Sequence, residues 1–271
     1  MRWIRFAGLL VATACTDPSA TKDTATRPVA DSGGSIATTA APTPMGRITG
    51  TVIDELGQPW ADATVNLCRE ICRLDRTDRT GAFAIEAEAG TWALEVVVTP
   101  ADPASGWSTP LAPVDIVTDV DRVLPDPITV YRLDPIQTLD AAGAYTLTEG
   151  FTIVADPTQW EAPLVTPGAD PWLGAVGFDF DTSGLPLDGL DGLVLAAWSV
   201  APTHSHPTDP WPIQVANPGL VESAAAEVWV SDYATQSWVR AGTVAPDATG
   251  NTLVGAALST LGTVLLLQPA I

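Results

Sequence analysis

The chain predicts an all-β fold, and three observations carry that expectation. Short apolar runs alternate with other residues at a period of two, as in Trp92-x-Leu94-x-Val96-x-Val98, which places one face of a strand in a core. The 22 glycines and 24 prolines punctuate the chain between such runs, and that is turn chemistry. No stretch sustains the apolar spacing of a long helix.

Element by element, Ile48, Gly50 and Val52 open the pattern, and residues 54–59 (Asp-Glu-Leu-Gly-Gln-Pro) read as a turn. Val65 and Leu67 make a second run. Phe83 and Ile85 begin a third, after Thr77-Asp78-Arg79-Thr80-Gly81. Trp92 to Val98 follow with Gly90 at their start, and residues 114–117 and 128–130 supply closing strands. Residues 134–271 repeat the pattern, with runs at 145–147, 151–154, 175–180, 193–200, 226–230, 238–240 and 262–267. The expected organisation is therefore two β-sandwich domains, 46–133 and 134–271.

Residues 1–14 have the form of an export signal. Arg2 and Arg5 precede an apolar run that begins at Phe6 and ends in Ala12-Thr13-Ala14. That run is far shorter than the roughly 20 residues that cross a bilayer. Cys15 directly after a small-residue cleavage site resembles the lipobox of bacterial lipoproteins. Ala12 stands where that family usually has Leu, and Ala12-Thr13-Ala14 also fits ordinary secretion; both peptidases would cut the same bond. The resemblance implies a lipidated Cys15, anchored by several acyl chains at about 0.8 kcal/mol per buried CH₂. Residues 15–45 are rich in Thr, Ala, Ser, Asp and Pro, without an aromatic, and read as a disordered tether with a reach of roughly 30 Å. Thr16, rather than Asp, follows the cysteine, which by the same resemblance favours the outer membrane.

Charge narrows the partners. Lys+Arg 12 against Asp+Glu 32 leaves a net charge of −20, and loss of Arg2 and Arg5 with the signal makes it two units more negative. Nucleic acid is excluded, because binding it rests on cations that neutralise phosphate. Arg69, Arg73, Arg76 and Arg79 crowd one stretch among Glu70, Asp75 and Asp78. That stretch is read as a solvated loop rather than a basic ligand patch.

Gly50-x-Val52-x-Asp54-x-x-Gly57-x-Pro59, Ala63-x-Val65, Thr77-Asp78-x-x-Gly81-x-Phe83 and Gly90-x-Trp92-x-Leu94-x-Val96 together resemble the carboxypeptidase regulatory-like domain. The resemblance covers residues 46–133. It implies a small prealbumin-like sandwich that is an appendage rather than a catalyst. Of three cysteines, Cys68 and Cys72 are close enough to pair in an oxidising compartment, leaving Cys15 alone. A disulfide over so short a loop is worth roughly 2 kcal/mol in the loop-entropy model; a C-x₃-C metal or redox site is the alternative. Further on, Trp198-Ser199-Val200-Ala201-Pro202 and Trp211-Pro212-Ile213-Gln214-Val215 resemble the β-sandwich module of ankyrins and netrin receptors, over about a quarter of that domain.

Three constellations are weighed as chemistry. His204 and His206, with Asp209 nearby, hold the chain's 2 histidines and form an H-x-H pair. On a strand the pair could share a zinc and support a metal-dependent hydrolase; Pro202, Pro207 and Pro210 point instead to an exposed turn. Asp179, Asp181, Ser183 and Gly184 match the opening of a calcium loop, with Asp188 and Asp191 close by but Leu190 at its twelfth position. Asp181-Thr182-Ser183-Gly184 is similar to the motif of aspartic proteases, but its glycine is one residue late and no second copy exists to form a dyad. No nucleophile elbow or phosphate loop is present.

Of 10 tryptophans, Trp92, Trp198, Trp229 and Trp238 fall in strand runs and are expected in cores. Trp60, Trp107, Trp160, Trp172 and Trp211 fall in turn-rich stretches and would be the sugar-binding face of a carbohydrate-binding protein. The sequence thus predicts a non-enzymatic envelope lipoprotein without a resident cofactor, calcium aside. It would be held to a membrane by lipid and would present binding modules to a protein or glycan, with secretion as the alternative.

Overall fold

The computed structural model describes residues 44–98, 106–133, 135–161, 171–221 and 224–270. The export signal, Cys15 and nearly all of the expected tether lie outside the described residues. Residues Pro42–Ile271 belong to one compact unit. Its strand content makes it all-β, as the alternating runs require.

The first strands are β1 (Met45–Asp54), β2 (Thr64–Cys68), β3 (Cys72–Arg76), β4 (Ala82–Glu88), β5 (Gly90–Val97), β6 (Leu111–Ile116), β7 (Asp121–Val123) and β8 (Ile128–Val130). They form two four-stranded sheets. In one, β4, β1 and β7 run in that order, with β8 also on β1; the other has the order β3-β2-β5-β6. The strand β1 begins at Met45, one residue inside the expected tether. Alternation fixes which side chains face inward: Phe83, Ile85 and Ala87 of β4 are buried, while Ala84 and Glu86 are exposed. Between β1 and β2, Asp54 Oδ1 accepts the amides of Leu56 and Gln58 at 2.9 and 2.8 Å. Gly57 there takes φ 77°, a conformation in which a side chain is strained.

The remaining strands form a single ten-stranded sheet and a two-stranded flap. They are β9 (Ile136–Thr138), β10 (Gly143–Thr148), β11 (Phe151–Ala155), β12 (Trp160–Glu161), β13 (Trp172–Phe178), β14 (Gly192–Ala201), β15 (His206–Pro207), β16 (Trp211–Ala216), β17 (Ala226–Asp232), β18 (Ser237–Pro246), β19 (Thr252–Leu258) and β20 (Thr263–Pro269). The sheet order is β10-β11-β16-β19-β18-β17-β20-β14-β13-β9, and β12 pairs with β15 in the flap. The sheet curls so that β10 lies against β9 and β13, and Gln137 Nε2 donates to Thr146 O across that gap at 2.5 Å. Phe151, Ile153, Leu173, Trp198, Trp211 and Ile213 fill the enclosed core. Phe180, expected at the end of a strand, sits instead in a 3₁₀ turn, Phe180–Thr182.

Two cores exist, and they meet along one face of the large sheet. Val264 and Leu266 of β20 point into the second core, whereas Leu265 points into the first. Trp238 and Ala197 do the same from β18 and β14. The first core therefore continues across the seam between the two strand assemblies.

Candidate functional site

The seam gathers most of the chemistry-bearing side chains. Glu95 in β5 is 5% exposed, a carboxylate buried in an otherwise apolar strand. Its Oε1 meets His204 Nε2 at 2.5 Å, and its Oε2 accepts from Asn66 Nδ2 at 2.9 Å. These contacts satisfy a group whose burial would otherwise be costly. His204 takes a left-handed φ of 67°, and its ring meets Tyr233 edge-on at 4.1 Å. The Tyr233 hydroxyl lies 3.1 Å from Cys72 Sγ. That sulfur is bonded to Cys68 and carries no proton, so the tyrosine donates. Burial first, and then the Glu95 charge, hold the Tyr233 hydroxyl above its ordinary value of 10.0, so it keeps its proton at neutral pH.

A second cluster is the loop between β13 and β14. Asp179 caps its 3₁₀ turn by accepting from Asp181 N at 3.1 Å. Ser183 Oγ donates to Phe180 O at 2.7 Å, while Ser183 O accepts from Thr129 N at 3.0 Å. Phe180 and Leu185 then enter the first core. Gly184 has φ 72°, and a Cβ there would stand 2.2 Å from Pro127 O, so only glycine lets the loop approach this closely. Asp188 accepts from Asp115 N at 2.8 Å and binds Arg122 through both oxygens, the Nη2–Oδ1 contact being 3.0 Å. The loop is a clasp across the seam.

These placements reassign the sequence candidates. Asp179, Ser183 and Asp188 serve the clasp rather than converging on a common point, Asp181 is exposed, and Leu190 packs on the first core. The turn containing His204, expected to be exposed, is packed: Ser205 is fully buried, and His204 points at Glu95. His206 lies in β15 opposite Glu161. Among the described residues, no group of three or more His, Cys, Asp or Glu side chains is arranged to hold a metal. The Cys68–Cys72 disulfide is formed. It joins directly paired residues of β2 and β3, and the arginine-rich stretch is a strand hairpin rather than a loop.

The tryptophans also need correction. Trp92, Trp198 and Trp238 are buried as expected, but so is Trp211, at 1% exposure. It is the inward end of β16, whose alternation carries it into the second core. Trp60 meets Trp107 edge-on at 4.7 Å, and Trp160 stacks on Trp211 at 6.1 Å. No tryptophan is among the exposed large hydrophobic residues in the described part of the chain. An open groove of about 680 Å³ lies on the outer face of β1 and β4, between Arg47, Thr49, Ala84 and Val123. The Asp75 and Asp78 carboxylates beside it are turned to the amides of Ala84 and Ala82, at 2.7 and 3.0 Å.

Glu95, Tyr233 and Arg122 were not singled out from sequence. Glu95 had a signal: it is the one charged residue within an alternating apolar strand. Arg122 and Tyr233 had none, because their partners lie 66 and 161 residues away along the chain.

No family model matches the chain, and no curated protein matches it in sequence. Among solved structures, the Bacillus anthracis TIE protein is similar at 8% identity and a TM-score of 0.28, over 83% of this chain and 49% of that one. BcpA*(D312A), the major pilin subunit of Bacillus cereus, is similar at 10% identity and a TM-score of 0.25, over 82% of this chain and 57% of that one. The chain spans about half the length of these structures.

Proposed function

We propose that the protein is a non-catalytic envelope lipoprotein: a rigid, strand-built body held to a membrane through lipid on Cys15 and presented to a protein or glycan partner. The observation that carries this reading is the use of the seam's polar groups. The His204, Asp179, Ser183 and Asp188 side chains, each a candidate for metal chemistry, are bonded within the chain: His204 and Asp188 join its two assemblies, and Asp179 and Ser183 shape the loop that carries Asp188. Such a seam resists bending, which suits a body that displays a surface at a distance. The N-terminal assembly is taken to be a regulatory-like sandwich of the carboxypeptidase type, on the motifs of its turns and strands.

Mass spectrometry of the mature N-terminal peptide from isolated membranes tests the anchor. The expected result is a peptide starting at Cys15 with the added mass of a diacylglyceryl group and an amide-linked acyl chain. A water-soluble protein with a free thiol at Cys15 would overturn it.

A further inference from the structure

The Cys68–Cys72 disulfide duplicates what other bonds of its hairpin already do. It spans only Arg69, Glu70 and Ile71, and a crosslink over so short a loop adds little to folding. The strand β3 is held to β2 by four further residue pairs, from Leu67–Arg73 to Thr64–Arg76. Toward β4, Arg73 Nη2 pairs with Glu88 Oε1 at 2.5 Å, and Asp75 Oδ2 accepts the Ala84 amide at 2.7 Å. The Arg69 guanidinium lies over the Trp92 ring at 4.6 Å. Opening the S–S bond therefore leaves the hairpin in place.

The two sulfurs differ in access. Cys68 is 1% exposed, whereas Cys72 and all three loop residues are exposed. A thiol arriving from solvent meets Cys72 first, and accessibility governs which sulfur of a disulfide is attacked. Cys72 also has a hydrogen-bond donor already in place. The Tyr233 hydroxyl, 3.1 Å from its sulfur, keeps its proton at neutral pH and would donate to a Cys72 thiolate as it does to the bonded sulfur.

We propose that Cys68–Cys72 is a redox-active disulfide that exchanges with a small thiol through Cys72. The thiolate of the small molecule attacks Cys72 Sγ and forms a new S–S bond. The bond to Cys68 breaks, and its electron pair leaves on Cys68 Sγ, which takes a proton from solvent. A second thiolate then attacks the small molecule's sulfur in the mixed disulfide and releases the Cys72 thiolate beside Tyr233, where it too is protonated. In all, two small thiols are oxidised to their disulfide, and the protein's disulfide is reduced to two thiols. Register holds Cys68 and Cys72 directly opposite each other throughout. Return of Cys68 to Cys72 is thus intramolecular, expels the added thiol and makes the exchange reversible. The chemistry is stoichiometric and requires neither the lipid at Cys15 nor a partner.

The test uses the full chain carrying Cys15→Ser, in which Cys68 and Cys72 are the only cysteines left. It is incubated in native buffer with millimolar reduced glutathione, quenched in acid, alkylated and weighed by mass spectrometry. The expected result is loss of the disulfide with unchanged far-UV circular dichroism, and its return when oxidised glutathione is added. In the same chain, Cys68→Ser should accumulate one glutathione on Cys72 when treated with oxidised glutathione. Cys72→Ser should take it up at the buried Cys68 about 100-fold more slowly, because thiol reactivity follows access. A disulfide that opens only in denaturant overturns the proposal. So does reduction that unfolds the chain, or a Cys68 that reacts as fast as Cys72.

Discussion

The C-terminal assembly fills its core with residues from Leu139 to Leu266 alone, whereas the N-terminal assembly takes Phe180, Leu185, Ala197, Trp238 and Leu265 from across the seam. Both are made of short alternating strands, yet one closes on itself and the other closes on its neighbour. The difference lies in sheet size. A ten-stranded sheet curls far enough to bring its two ends together, while a pair of four-stranded sheets leaves one outer face to be covered. Burying a large apolar side chain is worth about 1.5–3 kcal/mol. The larger of the borrowed residues together therefore rival the roughly 5–15 kcal/mol total of an ordinary domain.

The largest test of that asymmetry is to separate the two parts. Residues 135–271 expressed alone should melt cooperatively and self-associate through the uncovered face bearing Trp238 and Leu265. Residues 44–133 alone should show no cooperative transition. A sharp melt from the shorter fragment would sink the comparison. Next in size is Trp238→Ala in the intact chain, expected to cost about 3–5 kcal/mol. Hydrogen exchange should quicken first in β5 and β6, the strands that β18 lies against, although the mutated residue belongs to β18. Phe151→Ala, which lies in the second core, should instead release β11 and β16 first.

A smaller effect compares two glycines. Gly184→Ala meets Pro127 O at 2.2 Å, whereas Gly57 has a similar φ of 77° and nothing within 4 Å. The first substitution should cost more than about 2 kcal/mol and the second about 1 kcal/mol, both read from denaturant melts. The smallest effect is acid sensitivity. Hydrogen bonds, first from Thr80, Thr158 and Thr249, hold Asp78, Asp156 and Asp247 below their ordinary 3.8. A lowered folded value means stability that is fully present above that ordinary value and lost as pH falls through the folded one. Thr80→Ala should therefore move the acid transition to higher pH in the N-terminal assembly, followed by the fluorescence of Trp92. Thr158→Ala and Thr249→Ala should act on the other assembly.

Strands were legible in the sequence where alternation was clean, as in β4, β5 and β17, and so were the turn at Asp54 and the pairing of Cys68 with Cys72. The strand β19 was not. Its Gly255 takes φ 123°, and register shifts lie on both sides of it, so bulges break the period of two. Short β3 escaped because its alternation is between exposed and half-buried polar residues, with no apolar stripe to count. The seam left two marks that local spacing does not interpret. One is Glu95 inside an apolar strand; the other is the unbroken run Val264-Leu265-Leu266-Leu267, whose continuity signals burial on both faces. What lies on each side of that run is a matter of long-range pairing, and adjacent residues carry no record of it.

The strand β20 is the last in the described sequence, yet it lines both interiors. A polypeptide that emerges amino end first, from a ribosome or through an export pore, makes β1 to β8 long before Leu265 arrives. During that interval the flank of the earlier strands is covered only in part, by Phe180, Leu185, Ala197 and Trp238 as each is made. Closure of the first core thus waits for β20, and a chain lacking that strand would leave both halves unfinished.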